Sequence, residues 1–405
     1  MDIQDTHIGR RVREVRIWRG LSVTALAGLA GMSTSYLSLI ERGLRPVTRQ
    51  ATLEALANAL QVSPEELTGQ PYQSGDTLSQ EAHAGIAAVE AALDAYDLGT
   101  DPEVPYRPWP ELSLAVEQLN TVVREDADYA GLGAIIPSLL AELHAAYTHD
   151  PAHRREILVG LVYAYRSAAG FTKMMGVRGL PMVAARLAQN CADELAEPEW
   201  VGFGAFLRGY AAGALNRPHQ YTLAVRTTEE LSPHFDNPDV VQAAGALHLN
   251  AALVCAARGQ AELARDHVAE AAELAARLPS DVGNFGWLHF RPENVGVWRT
   301  SLGTELGEGA KVAEYAKSVR PAMIEGKARK AAFLADVGRA LTAEKRTREQ
   351  GIQVLADAER TAPQLIRNNP YVRDLVSSQL VHARRDAGGR ELRGLAYRMG
   401  VAPKG

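Results

Sequence analysis

Apolar residues recur every three to four positions along most of the chain, the period of a helix with one buried face. In the first 70 residues this stripe is written in short segments. Ile8, Val12, Val15 and Ile17 form one, ended by Gly20. Ser22 is placed to cap a second helix that turns Leu26, Leu29 and Ala30 inward and stops at Gly31. Ser33 is placed to cap a third, with Leu37 and Ile40 inward and Gly43 as its stop. Thr48 is read as opening a fourth, with Leu53, Leu56, Ala57 and Leu60 on its buried face. Ser63-Pro64-Glu65-Glu66 supplies a cap, a proline at the first helical position and two acids in the first turn of a fifth. Only Gly31 and Met32 separate the second helix from the cap of the third, so those two helices must cross steeply.

Beyond this head, GQPYQSGDT (Gly69 to Thr77) is a polar break rich in turn residues, and a helix is expected from Ser79 to Tyr96. DPEVPYRPWP (Asp101 to Pro110) carries four prolines and excludes both helix and strand. From Glu111 onward the pattern reads as helix after helix with short breaks at proline or glycine. Two segments repeat: GAKVAEYAKSVRP (Gly309 to Pro321) and GIQVLADAERTAP (Gly351 to Pro363) share G-x-x-V-x-x-x-A-x-x-x-x-P at a separation of 42 residues. Leu334, Gly338 and Leu341 precede the second copy at large-small-large spacing, and Ala252, Ala264 and Ala271 mark a further unit around Gly259. Small residues at those points let two helices approach closely. The expected architecture is all-α, with a five-helix head over residues 1–70, a connector over 71–110 and an α-solenoid of tetratricopeptide-like helix pairs over 111–400.

Composition agrees. The 405 residues are 46% hydrophobic but only 6% aromatic, which favours helices packed through small side chains. Two cysteines, Cys191 and Cys255, are too few for a disulfide framework, and no Cys/His spacing suggests a metal. The N-terminus has no apolar core of a leader peptide. The run Gly131 to Tyr147 is interrupted by Glu142 and His144 and reads as too short for a bilayer, so a cytoplasmic protein without a membrane partner is expected. Net charge is −5, yet Ile8 to Arg49 holds eight arginines against Glu14 and Glu41. A basic head on an acidic body is the asymmetry of a nucleic-acid-binding module joined to something else.

LSVTALAGLAGMSTSYLSLIERGLRP followed by TLEALANALQVSPEEL resembles the lambdoid-repressor (Xre-type) helix-turn-helix family over residues 8–68. The resemblance implies a third helix that lies in the major groove of double-stranded DNA and meets base edges through Thr34, Ser35, Tyr36 and Ser38. Leu39 is assigned to the fold, and for Tyr36 phosphate contact or packing stands as an alternative. Hydroxyls pair with several bases, so readout should be less stringent than through Arg or Gln. Arg42, Arg45 and Arg49 fall where the family grips phosphate, which positions the module without reading sequence. Arg16 and Glu41 match a structural ion pair. The glutamine that usually opens the second helix is replaced by Val23, a loss that should lower affinity.

Asn284 to Gly307 concentrates aromatic residues in an aromatic-poor chain. Trp287, Phe290 and Trp298, with Arg291 and Asn294, read either as a ligand pocket or as ordinary core between helix pairs. Asn294 is equally placed to cap a following helix. A second, weaker candidate is the helix from Leu158 to Met175, with Tyr163, Tyr165, Arg166 and Lys173, which Asn250 is placed to join from the next helix pair; for each of these residues an ordinary surface side chain is the alternative. No nucleophile elbow, phosphate loop or metal-binding helix motif occurs, so neither an enzyme nor a cofactor is expected. The whole pattern resembles peptide-pheromone-responsive regulators of Gram-positive bacteria and helix-turn-helix/tetratricopeptide regulators of actinobacteria. That resemblance implies a homodimeric regulator responding to a small molecule or peptide, with a near-palindromic operator. The alternative is a scaffold whose solenoid binds a protein partner.

Overall fold

The computed structural model describes residues 7–70, 77–213, 217–309, 311–383 and 389–401. Among them the chain forms 21 α-helices and no strand. Most of the polar break Gly69 to Thr77 lies outside the described residues.

The head consists of α1 (Ile8–Trp18), α2 (Val23–Leu29), α3 (Thr34–Glu41), α4 (Gln50–Leu60) and α5 (Pro64–Thr68). Ile8, Val12, Leu26, Leu37, Ile40, Leu56 and Leu67 meet in one core. Local chemistry sets the ends. Ser22 Oγ accepts from Ala25 N at 3.0 Å and Ser33 Oγ from Tyr36 N at 3.2 Å, while Ser63 Oγ accepts from Glu66 N at 3.3 Å. Gly31 adopts φ +65°, which lets Met32 N reach back to Ala27 O at 2.9 Å and close α2. The chain turns by 111° between α2 and α3. The start of α4 differs from expectation. It begins at Gln50 after Arg49, and no local side chain caps it; Thr48 lies before it.

The body is built from consecutive helices packed side by side. Arg154–Met174 pairs with Leu180–Leu195, Pro238–Ala257 with Ala261–Arg277, and Lys327–Thr342 with Arg348–Thr361. The last pair closes at Gly338 and Gly351: a Cβ on Gly338 would stand 2.7 Å from Leu355 Cγ, and one on Gly351 2.7 Å from Thr342. The small residues of the repeat are therefore spent on close approach. Its two copies do not form equal elements, however. Gly351 to Pro363 runs through the 14-residue helix Arg348–Thr361, whereas the earlier copy forms the seven-residue helix Lys311–Lys317. Gly307 and Gly309 both have positive φ, and that backbone prevents the earlier helix from starting sooner.

The expected helix after the break runs Thr77–Ala95, and Asp101 to Pro108 stays irregular; the exclusion of helix fails at Trp109 and Pro110, which open the helix Trp109–Gln118, because proline is tolerated in a first turn. That helix continues into a π-helical turn, Leu119–Arg124. The segment read as too short for a bilayer is part of a 21-residue helix, Tyr129–His149. By length and apolarity this helix and Pro238–Ala257 could each cross a membrane. The reading of insufficient length is thus corrected. The apolar surface of both helices is largely covered by neighbouring helices, with 56% and 83% of their apolar windows buried. Cys191 and Cys255 are free and buried, and burial pushes their thiols up to about 12 and about 11.

Candidate nucleic-acid interface and effector site

On α3 the inward face is Leu37 and Ile40, which leaves Thr34 and Ser35 exposed in the first turn and Tyr36, Ser38 and Leu39 half-buried. Arg42 and Arg45 are exposed at the exit, and the Arg45 guanidinium lies over the Tyr36 ring at 5.6 Å. Arg16 braces the back of α3. Its Nε and Nη2 donate to the two oxygens of Glu41 at 2.6 and 2.9 Å, and Nη1 donates to Leu21 O at 2.8 Å. The Glu41 hydrogen bond raises the Arg16 pKa against the effect of burial. Val23 packs partly against the head core. The face can present hydroxyls and guanidinium groups to a groove and its phosphates.

Arg49 lies elsewhere. With Tyr36 and the Gly31–Met32 turn it lines a cavity of about 360 Å³ whose far wall is body: Ala256, Arg265, Glu305 and Glu308. The head is docked on the body through charged groups that sequence reasoning missed. Glu305 Oε2 accepts from Gln50 N at 2.6 Å and so supplies the missing cap of α4. Asp374 accepts from Ile8 N at 2.8 Å and from Val47 N at 2.6 Å, one head amide on each carboxylate oxygen. Arg217 makes a bidentate pair with Glu54 of α4, with Nε at 3.2 Å and Nη2 closer. Arg339, paired with Glu305 at 2.9 Å, donates to Thr48 O. These partners lie 163 to 366 residues apart in sequence, a separation at which periodicity carries no trace.

The seven residues proposed for a pocket in the body separate into groups. Arg166 donates to the carbonyls of Gly286 and Trp287 at 2.7 and 3.1 Å, and Trp287 stands edge-on to Tyr163 with centroids 4.5 Å apart. Trp287 and His289 both hold positive φ, so the loop they form is strained and tied down by its neighbours. Asn294 does not cap a helix. It lies inside Pro292–Leu306, donates to Leu288 O at 3.4 Å and accepts from Arg329. Arg291 is spent on the carbonyls of Ser280 and Val282. Phe290 is 1% exposed and points the tip of its ring at Gly245, where a Cβ would stand 1.8 Å from Cζ. Asn250 donates to Phe206 O at 2.9 Å, and Trp298 is half-buried against the body core. The structure thus joins Arg166 to Trp287, and Asn294 to Arg329, while Arg291 and Asn250 are hydrogen-bonded to backbone carbonyls and Phe290 and Trp298 pack against the body core. Among the described residues no cluster of His, Cys, Asp and Glu is arranged to hold a metal.

A steep two-helix crossing, a capped third helix with an exposed hydroxyl-bearing first turn and flanking arginines define a DNA-binding module. Comparison with known proteins agrees. Residues 7–68 match a helix-turn-helix domain family. The chain is 35% identical over 96 residues to the HTH-type transcriptional repressor RghR of Bacillus subtilis (strain 168), an alignment covering 22% of this chain and 67% of that protein. No solved structure matches the chain. The chain belongs to the helix-turn-helix transcriptional regulators.

Proposed function

We propose that this regulator works as a homodimer responding to a small-molecule or peptide effector, with residues 1–70 reading DNA and 111–400 forming a tetratricopeptide-like body that senses and dimerises. Each head places Thr34, Ser35, Tyr36 and Ser38 against base edges of one half of a near-palindromic operator, and Arg42, Arg45 and Arg49 hold phosphates. Such a protein acts where the chromosome is, in the cytoplasm.

The observation that carries the reading is the docking of the head through Arg49 and the start of α4, one flank of its DNA side, while Thr34, Ser35, Arg42 and Arg45 stay exposed. Arg49 faces the body, and the amide that opens α4 is already held by Glu305. A helix N-terminus is an anion site, so this carboxylate occupies a position suited to a DNA phosphate. A cavity of about 360 Å³ does not admit a duplex. The docked arrangement is therefore the weakly binding one, and an effector acts by preferring one arrangement over the other.

Selection of bound sites from a random DNA pool by the full chain tests this. The expected product is two related half-sites about one helical turn apart, bound by two chains. Enrichment of a single half-site bound by one chain would remove the dimer, and no enrichment at all would remove the regulator.

A further inference from the structure

Between Ile157 and Lys173 the body helix Arg154–Met174 is buried everywhere except at positions 159, 163, 166, 170 and 173. Those positions form a single stripe on a helix. It carries Tyr163, Arg166, Gly170 and Lys173, half-buried on an otherwise buried helix, with Tyr163 edge-on to Trp287 and Arg166 over the Phe203 ring. Lys173 Nζ donates to Tyr210 O at 2.6 Å and lies 3.8 Å from the centre of that ring. Gly170 leaves the floor open, since the nearest atom to a Cβ there would be the Tyr210 hydroxyl at 4.0 Å. Across from the stripe, Arg124 ends the π-helical turn, a rare element that often marks functional sites. Arg329 reaches in from the helix Lys327–Thr342.

The charges here do not balance. Arg124, Arg166 and Arg329 share one buried carboxylate, Glu125, and Lys173 adds a further cation to the stripe; Glu325, which also acts on Arg329, is 76% exposed at its side chain. Burial, then the charge of Arg124, pushes Arg166 well below an ordinary guanidinium. Burial brings Lys173 down to about 8, helped by Arg217, and Arg329 down to about 10. Glu125 is held at about 2: burial opposes ionisation, but the His289 hydrogen bond and the charges of Arg124, His289 and Arg166 outweigh it. Nε of Arg124 and of Arg329 are buried with no hydrogen-bond partner. Arg124 is paired with Glu125, while Arg166, Lys173 and Arg329 donate, among the described residues, only to neutral oxygens. Buried cations without a counter-charge are costly, and a site that keeps several of them is set up for an anion from outside.

We propose that the space bounded by Tyr163, Arg166, Lys173, Tyr210, Arg124 and Arg329 binds an organic anion, a carboxylate or phosphate carried on an aromatic or other apolar group. The proposal rests on the effector reading above and names the chemical class of that effector. Arg166 and Lys173 stand two helical turns apart, about 10 Å. That length accommodates an acidic group at one end and a ring against Tyr163, Trp287 or Tyr210 at the other.

Titration calorimetry of the full chain with phenyl phosphate, phenylacetate and neutral phenylacetamide tests it, with thermal unfolding followed in parallel. At least one anion is expected to bind and to raise Tm by a few degrees, and phenylacetamide is not; the stronger anion identifies phosphate or carboxylate. Lys173→Met and Arg124→Gln should each weaken anion binding about tenfold or more. Lys173→Met should also raise the ligand-free Tm, because it removes a buried cation that has no carboxylate partner, whereas Arg124→Gln should lower it, because it strips Glu125 of its ion pair; loss of a merely structural Lys173 would lower Tm. Equal responses to the anions and to phenylacetamide, or undiminished anion affinity in both variants, would overturn the site. Anion binding by a chain that enriches no DNA would refute the regulator and leave this site standing, whereas DNA selection without anion binding would do the opposite.

Discussion

Replacing Glu54 by leucine separates head docking from DNA contact, because Glu54 points at the body and not at the DNA face of α3. In the docked arrangement the Glu54 and Arg217 side chains are each 9% exposed, and the pair is bidentate. Glu54→Leu leaves Arg217 buried with Gln220 Oε1, at 3.3 Å, as its remaining side-chain acceptor among the described residues. Breaking a buried pair from one side costs roughly 3–5 kcal/mol, since the remaining charge stays desolvated. Taking about 3 kcal/mol as the loss, the population of undocked heads rises about a hundredfold. If the docked head is the weak DNA binder, affinity for a selected site rises by up to that factor. Adding Arg217→Met should restore docking, because an apolar pair of similar volume often replaces a buried ion pair at little cost. DNA affinity is read by fluorescence anisotropy, and docking by hydrogen exchange at Ile8, Val47 and Gln50, whose amides are held by the body. A Glu54→Leu chain that exchanges faster at those amides yet binds DNA no better would refute autoinhibition by docking. A double variant that stays as open as the single one would refute the energetic argument.

Three further outcomes follow from named contacts. Arg45→Ala should weaken binding to all sequences alike and reduce the salt slope by about 1, whereas Ser35→Ala should change preference at one half-site position by about 1 kcal/mol; the reverse pattern would mean that α3 is oriented differently. Glu41→Gln breaks the buried brace on Arg16 and should destabilise the head by about 3 kcal/mol, seen as faster hydrogen exchange over residues 8–68; unchanged exchange would reduce the pair to a surface contact. Burial raises the Asp374 carboxyl to about 6 against the pull of its two amide hydrogen bonds. A raised carboxyl gives stability that is full below its unfolded value near 3.8 and is lost as pH rises through about 6. Head docking should therefore strengthen about tenfold from pH 7 to pH 5, and Asp374→Asn should abolish that dependence; a dependence that survives in Asp374→Asn would assign it to another group.

The elements of the head were legible in the sequence because their causes are local. Ser22, Ser33 and Ser63 bond amides three residues away, Gly31 reverses the backbone where it stands, and the stripe through Val12, Leu26, Leu37 and Leu56 sets which face is buried. The all-helical body and its proline-rich interruption were legible for the same reason. Where a signal depended on what lay opposite, sequence fell short. Thr48 and Asn294 are both plausible caps by type, yet α4 is capped by Glu305 from the body, and Asn294 is held inside a helix by Arg329. Lys173 is legible as a candidate beside Tyr163 and Arg166, but Arg124, Arg217 and Asp374 look like ordinary solvated charges, because a polar residue on a helix has the same spelling whether it meets water or a partner. Only the folding of the helices over one another decided which charges would be buried, and so which would grip the head and which would be left waiting for an anion. Desolvation is a property of the assembled surroundings and leaves no mark on the residue's own neighbours in the chain.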